Sequence, residues 1–324
     1  GRPATRGARV VCAAVSGLEV ATGADSSSFA TAFGASTAVS LAIAAALAWS
    51  RRSGKAPPWS GAAADGSSFA LTPFDGCCCG AEVSGVDLTA PLPPVAARKA
   101  RLALQDHGVL LFRGQQLQVA DMLRVSSVFG EPEAMGGEGF QVNLYKVKDR
   151  ERVQRGQDFW HADNSYTSTG GGPTLLYALQ VPVGADGRGL GDTQFADAAS
   201  AAASLPSGLR ERLEGRRARH NMAHNSGVPL PEYETGEWLE ADDAVHPVLR
   251  ANPLSGRETV FVAPSYVRGI EGLPAAESDR LLDTVYQHVL RPAHTFAHSW
   301  RDHDLLVWDN SRMWHRATTL DLPP

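Results

Sequence analysis

Strand-like apolar runs and a few helical stretches follow one another irregularly between residues 69 and 320. The strand-like runs are 69–72, 80–88, 109–112, 175–179, 258–263 and 304–308, the third and last being continuous apolar segments of buried-strand type. Helical spacing appears over 94–106, stopped by Gly108, over 119–129, stopped by Gly130, over 198–213 and over 277–290. The last of these carries one apolar face, Leu281, Leu282, Val285 and Val289. A doubly wound sheet needs regular strand–helix alternation, and this order argues against it. It suits an α+β chain with a jelly-roll core and helices packed outside. No internal repeat is visible.

Within that frame two stretches carry chemistry: Trp160-His161-Ala162-Asp163, and Trp308-Asp309-Asn310-Ser311-Arg312-Met313-Trp314-His315. Successive side chains of an extended strand alternate faces, so His161 and Asp163 project to the same side. One further His completes a set of two His and one carboxylate that leaves coordination positions open on Fe(II), and His315 is the candidate. A lone His-x-Asp arises often by chance, so its weight comes from the surrounding pattern.

A net charge of -5 and a pI near 6.1 give no pull toward nucleic acid or anionic membrane. Cys77, Cys78 and Cys79 are adjacent, offer no C-x-x-C spacing for zinc, and read as reduced, packed thiols in a reducing compartment. Residues 1–64 differ in kind. Arg2, Arg6 and Arg9 lie in Ala/Ser/Gly/Thr-rich, acid-poor text, and an uncharged run over 29–49 precedes Arg51, Arg52 and Lys55. That run is long enough for a bilayer but only marginally apolar. A targeting leader to plastid or mitochondrion is preferred to a membrane anchor or a cytoplasmic chain. A Pro/Gly/Ser-rich link then leads into a domain over 65–324.

Residues 69–320 resemble the taurine dioxygenase / 2,4-dichlorophenoxyacetate dioxygenase family of Fe(II)- and 2-oxoglutarate-dependent oxygenases. The matching pieces stand in the family's order: the entry Gly80 to Leu88, Gly108-Val109-Leu110-Leu111-Phe112-Arg113-Gly114-Gln115, Phe129-Gly130-Glu131, Trp160 to Asp163, Gly191-Asp192-Thr193, His246-Pro247-Val248, and Trp308-Asp309-Asn310 before His315. The resemblance implies a double-stranded β-helix and iron held by His161, Asp163 and His315. It also implies 2-oxoglutarate beside the metal, touched by Thr193, and O2 as second cosubstrate. The implied reaction oxidises an unactivated C–H bond of a small organic acid-like molecule and releases succinate and CO2. Asp309 and Asn310 are candidates for fixing the ring orientations of His161 and His315.

Two departures stand out. The family's Arg for the distal carboxylate of 2-oxoglutarate would fall beyond Pro324, which reads as a truncated C-terminus; Arg316 should point in a different direction from His315. Losing such a partner costs about 2–5 kcal/mol of binding. The approach to Asp192-Thr193, over 184–191, is also longer than the family's. A non-catalytic jelly-roll binding protein, or a cupin-like metalloenzyme without 2-oxoglutarate, therefore stands as the alternative. The remaining histidines read as structural. His220 and His224 have helical i, i+4 spacing without a Glu base, and His294, His298 and His303 read as surface residues or supports. Gln157, Asn164, Ser165 and Tyr166 could face substrate. The basic run 210–219 alternates with Glu and reads as a solvated helix face. A small-molecule substrate is expected and a homo-oligomer is left open; a membrane partner is expected only if residues 29–49 are an anchor.

Overall fold

The computed structural model describes residues 9–15, 69–132, 143–145, 159–181, 183–222 and 243–318. In chain order the strands are β1 (Arg9–Val15), β2 (Ala70–Pro73), β3 (Ala81–Ser84), β4 (Val109–Phe112), β5 (Glu131–Pro132), β6 (Asn143–Tyr145), β7 (Pro173–Ala178) and β8 (Thr193–Asp197). There follow β9 (Arg217–His220), β10 (Ala244–Pro247), β11 (Leu249–Ala251), β12 (Glu258–Val260), β13 (Val267–Ile270), β14 (Thr295–His298), β15 (Leu305–Asp309) and β16 (Met313–Ala317). The helices are α1 (Pro94–His107), α2 (Val119–Phe129), α3 (Ala198–Ala203), α4 (Ser207–Leu213) and α5 (Ala275–Val289). This is α+β architecture. Residues 29–49, the expected anchor run, lie outside the described residues, and of the expected leader over 1–64 only Arg9–Val15 are described, as β1. No helix among the described residues is long and apolar enough to cross a membrane.

The larger sheet runs β2-β3-β4-β15-β7-β1-β5, with β6 paired to β1. Its centre is β15, antiparallel to both β4 and β7 and buried along its whole length. Burial on both faces explains the unbroken apolar text of 305–308. By strand alternation Leu305 and Val307 face one way, where with Leu110, Phe112 and Leu175 they pack on Ala100 and Leu104 of α1 and Met122 and Val125 of α2. Leu306 and Trp308 face the other way and meet Phe195 and Met313. Those two belong to β8 and β16 of a three-stranded sheet, β14-β8-β16. The two sheets thus pack face to face through a layer of side chains.

Beyond the smaller sheet, α3, α4 and α5 close a third apolar cluster with β9, β11, β12 and β13. Leu281, Leu282, Val285 and Val289 of α5 are all buried there, as their spacing predicts. The expected single helix over 198–213 is two. Pro206 has no N–H to donate and disfavours helical backbone at Leu205, so the chain breaks between α3 and α4. Gly108 ends α1 with φ 76, its N–H donating to Leu104 O at 2.8 Å, and turns the chain straight into β4. Cys77 and Cys78 are exposed in the β2–β3 loop, so of the three adjacent thiols only Cys79 is packed.

Candidate metal centre

β15 ends at Asp309, the chain turns with Arg312 N–H donating to Asp309 O (3.0 Å), and β16 carries His315 back across the inner layer. Opposite it His161 forms a one-residue antiparallel bridge. His161 N–H donates to His315 O (3.0 Å) and His315 N–H to His161 O (2.8 Å). Residues paired in this way present their side chains on one face, and the two imidazole centroids are 4.1 Å apart. The expected strand through residues 161–163 is no more than this bridge, after which the chain turns. Asp163 nevertheless comes to the same side. Its Oδ1 lies 3.5 Å from His161 Nε2 and 3.7 Å from His315 Nε2, and the three donor atoms all fall within 4.8 Å of one another.

Both imidazoles are buried, and each is held from behind. His161 Nδ1 is 2.8 Å from Phe159 O; a carbonyl can only accept, so Nδ1 carries a proton and Nε2 is the nitrogen turned to Asp163. The His315 ring packs on Phe195 and Trp308. Burial lowers the His161 imidazole, but the Asp163 carboxylate outweighs it and holds His161 above its ordinary value. His315 is pushed down to about 3, first by burial and then by the neighbouring His161. Burial also opposes ionisation of Asp163, yet the His315 and His161 rings and the Thr174 hydroxyl hold its carboxyl well below the usual range. Two imidazoles this close cannot both be charged, so the site keeps one neutral ring beside an ionised carboxylate. Two nitrogens and one carboxylate oxygen converging on one side match the donor set of open-sided iron(II) sites.

The profile of the taurine catabolism dioxygenase TauD, TfdA family matches residues 68–324. The chain belongs to this family. Its relatives include the alpha-ketoglutarate-dependent 2,4-dichlorophenoxyacetate dioxygenase of Burkholderia sp. (strain RASC), 27% identical over 265 residues, 74% of this chain and 86% of that enzyme. A Schizosaccharomyces pombe protein, provisionally named an alpha-ketoglutarate-dependent sulfonate dioxygenase, is 29% identical over 246 residues, 70% of this chain. The match spans 60% of that protein's length. The crystal structure of AAD-2 in complex with Mn(II) and N-oxalylglycine has a TM-score of 0.63 at 23% identity, covering 77% of this chain and 90% of its own, and shares the fold. The expected assignment to the 2-oxoglutarate-dependent dioxygenases therefore holds at the level of family.

The other TauD, TfdA family positions sort by what they touch. Thr193 begins β8 opposite Ala317, one side-chain pair along from Phe195 and His315 and on the same face. Its Oγ1 accepts a hydrogen bond from Trp300 Nε1 at 3.0 Å. Asp309 and Asn310 do not touch the imidazoles as expected. Asp309 turns inward to Asn252 Nδ2 (2.7 Å) and Ser311 N (3.0 Å), and burial raises its carboxyl. Asn310 holds Asp163 instead, its Oδ1 accepting from the Asp163 backbone N–H at 3.1 Å. Arg316 points away from His315: its Nε donates to Gln194 Oε1 (2.7 Å) and its guanidinium lies 5.3 Å over Trp160.

Gln157 and His224 lie outside the described residues. His220 is the last residue of strand β9, so the helix that the i, i+4 spacing assumed is absent at His220. His294 and His298 are buried rather than at the surface, His294 on Ser204 (2.9 Å) and the His288 carbonyl (3.0 Å), His298 beside Asp304 (3.2 Å). Tyr166 donates to Asn164 Oδ1 at 2.9 Å and meets Tyr266 edge-on at 4.9 Å. Tyr266 in turn meets His161 edge-on at 6.3 Å. No motif pointed to Tyr266. It is pinned there by the Ser265 N–H donating to Trp160 O (3.1 Å), a contact between distant segments with no local signature.

Proposed function

We propose that residues 65–324 are a jelly-roll dioxygenase domain in which His161, Asp163 and His315 hold Fe(II) and Thr193 contacts 2-oxoglutarate. The convergence of three donor atoms within 4.8 Å, in a chain of this family, carries the reading. The facing sheets, with β16 crossing the inner layer, support the jelly-roll form. Iron(II) held by these residues would couple oxidative decarboxylation of 2-oxoglutarate by O2, giving succinate and CO2, to oxidation of a substrate C–H bond. The chain's own residues provide the setting. Three protein donors on one side leave room for a bidentate 2-oxo acid and for O2. The Trp300 N–H fills one lone pair of the Thr193 hydroxyl, so the hydroxyl proton is free to be donated to a carboxylate. Tyr266 and Tyr166 make an aromatic wall beside His161 that suits the carbon skeleton of a small organic acid, the class to which relatives named for 2,4-dichlorophenoxyacetate and for sulfonates belong.

Anaerobic titration of 2-oxoglutarate into the Fe(II)-loaded chain tests this by the metal-to-ligand charge-transfer band, with His161→Ala as control. The band is expected at submillimolar 2-oxoglutarate in the parent and not in the variant. Iron bound without a band would replace the proposal with a metal-holding jelly-roll protein. A folded chain that binds no iron would remove the ligand assignment itself.

A further inference from the structure

The Asn310 side chain uses all of its hydrogen-bonding capacity. Its Oδ1 accepts from Trp308 Nε1 (3.0 Å) and from the Asp163 backbone N–H (3.1 Å). Its Nδ2 donates to Gly172 O (2.8 Å) and to Thr174 Oγ1 (2.8 Å). A flipped amide would break the contacts to Trp308, Asp163 and Gly172, whose partners can only donate or only accept, so the orientation is fixed by the network. Thr174 therefore receives a proton from Asn310, and its own hydroxyl proton goes to the other neighbour, Asp163 Oδ2, at 2.8 Å. Thr174 is 2% exposed and lies in β7 opposite Trp308. The two carboxylate oxygens are thereby made different: Oδ1 faces both imidazoles, while Oδ2 is tied back by the threonine.

We propose that Thr174 is a positioning residue that keeps Asp163 a one-oxygen ligand and so preserves the coordination position needed by the 2-oxo acid. The inference rests on the triad holding a divalent metal. A carboxylate released from Oδ2 can swing to offer both oxygens. Two imidazoles and a two-oxygen carboxylate leave two positions on an octahedral ion instead of three, so a bidentate 2-oxo acid that leaves room for O2 has to displace Oδ2 to bind. Hydrogen bonds to ligands in metal sites act in this way, fixing which atom binds. The hydroxyl also explains why a polar residue stands in an otherwise apolar buried strand, Pro173–Ala178.

The test compares the parent with Thr174→Val and Thr174→Ser, measuring Fe(II) affinity and, separately, 2-oxoglutarate affinity from the charge-transfer band of the iron-loaded protein. Thr174→Val should keep Fe(II) affinity within about threefold while 2-oxoglutarate affinity falls about tenfold or more, the size of one lost hydrogen bond to a charged group. Thr174→Ser, which keeps the hydroxyl, should restore the parent value. Unchanged 2-oxoglutarate affinity in Thr174→Val overturns the inference. So does loss of Fe(II) affinity with normal 2-oxoglutarate affinity in the loaded fraction, which is what simple support of the ligand would give. If Thr174→Val does not fold, Thr174→Ala carries the same expectation. A parent without iron or without the band would sink the proposed function instead, so the two failures are distinct.

Discussion

Around Thr193 the first consequence is chemical. The Trp300 indole can only donate, so it dictates which way the Thr193 hydroxyl turns its proton. Trp300→Phe keeps a buried ring and removes that donor. One hydrogen bond is worth about 0.5–1.5 kcal/mol, so 2-oxoglutarate affinity should fall about 2- to 12-fold. In a Thr193→Ala background the same change should do almost nothing, because the group it orients is gone. Equal losses in both backgrounds, read from the charge-transfer titration, would mean that Trp300 acts only on the fold. The difference between Thr193 and Trp300 also marks how far the site was legible from sequence. His161, Asp163, His315 and Thr193 stand in short motifs, and the structure gathers the first three. Thr174, Trp300 and Tyr266 reach them through strand register and loop contacts spanning many residues, and nothing in their local text distinguishes them from core.

Where elements meet, Asp197 and Arg312 tie three together. Asp197 caps α3, its Oδ1 accepting from Ala199 N–H (3.0 Å) and its Oδ2 from Ser200 Oγ (2.6 Å). The same carboxylate takes Arg312 Nε (2.8 Å) and Nη2 (2.7 Å), while Nη1 donates to Gln105 O and Asp106 O at the end of α1. Burial opposes the charge on Asp197, but Arg312 outweighs it and keeps the carboxyl low. Asp197→Ala leaves a buried guanidinium without its partner and should cost about 3–5 kcal/mol in urea unfolding, whereas Asp197→Ala with Arg312→Leu should recover part of that loss. A double variant weaker than the single would refute the pairing argument. Gly108 lies against the same guanidinium: a Cβ there would sit 3.0 Å from Arg312 Nε and 2.8 Å from Met313 Sδ, at φ +76. Gly108→Ala should therefore destabilise by more than the ~1 kcal/mol that a left-handed non-glycine costs alone, measured by thermal unfolding. Elements with their own periodicity were legible, and 109–112 and 119–129 match in full. Strands β8, β9, β10, β13, β14 and β16 were not, being four or five residues long. In β9, for instance, burial falls on Ala218 and His220 between two exposed arginines, too little apolar text to register as a strand.

Across the molecule, buried histidines set the acid limit of stability. His220 is fully buried between Phe261 and His246, and burial, followed by the charges of His246 and Arg250, pushes it down to about 3. Burial likewise lowers His246, whose Nε2–H is spent on Thr167 O (2.9 Å), and His288, against Ala201 O (2.9 Å). The unfolded chain takes up these protons near the ordinary histidine value of about 6.5, while the folded chain refuses them. Their contribution is therefore complete above about pH 6.5 and is lost as pH falls toward the folded values, down to about 3 for His220. In the metal-free site His315, pushed down to about 3, adds to the loss, while His161, held above its ordinary value, offsets part of it. Carboxylates such as Asp197 enter only below about pH 4, near their unfolded values. The stability curve should thus begin to drop near pH 6.5 and not near 4. Between pH 7 and 4.5, His220 alone should account for about 2–3 kcal/mol. Urea unfolding of the parent and of His220→Phe at those two pH values isolates this contribution: the variant should lose that much less on acidification, whatever its stability at pH 7. Parallel losses in the two proteins would place the acid sensitivity elsewhere, since every other titrating group is common to both.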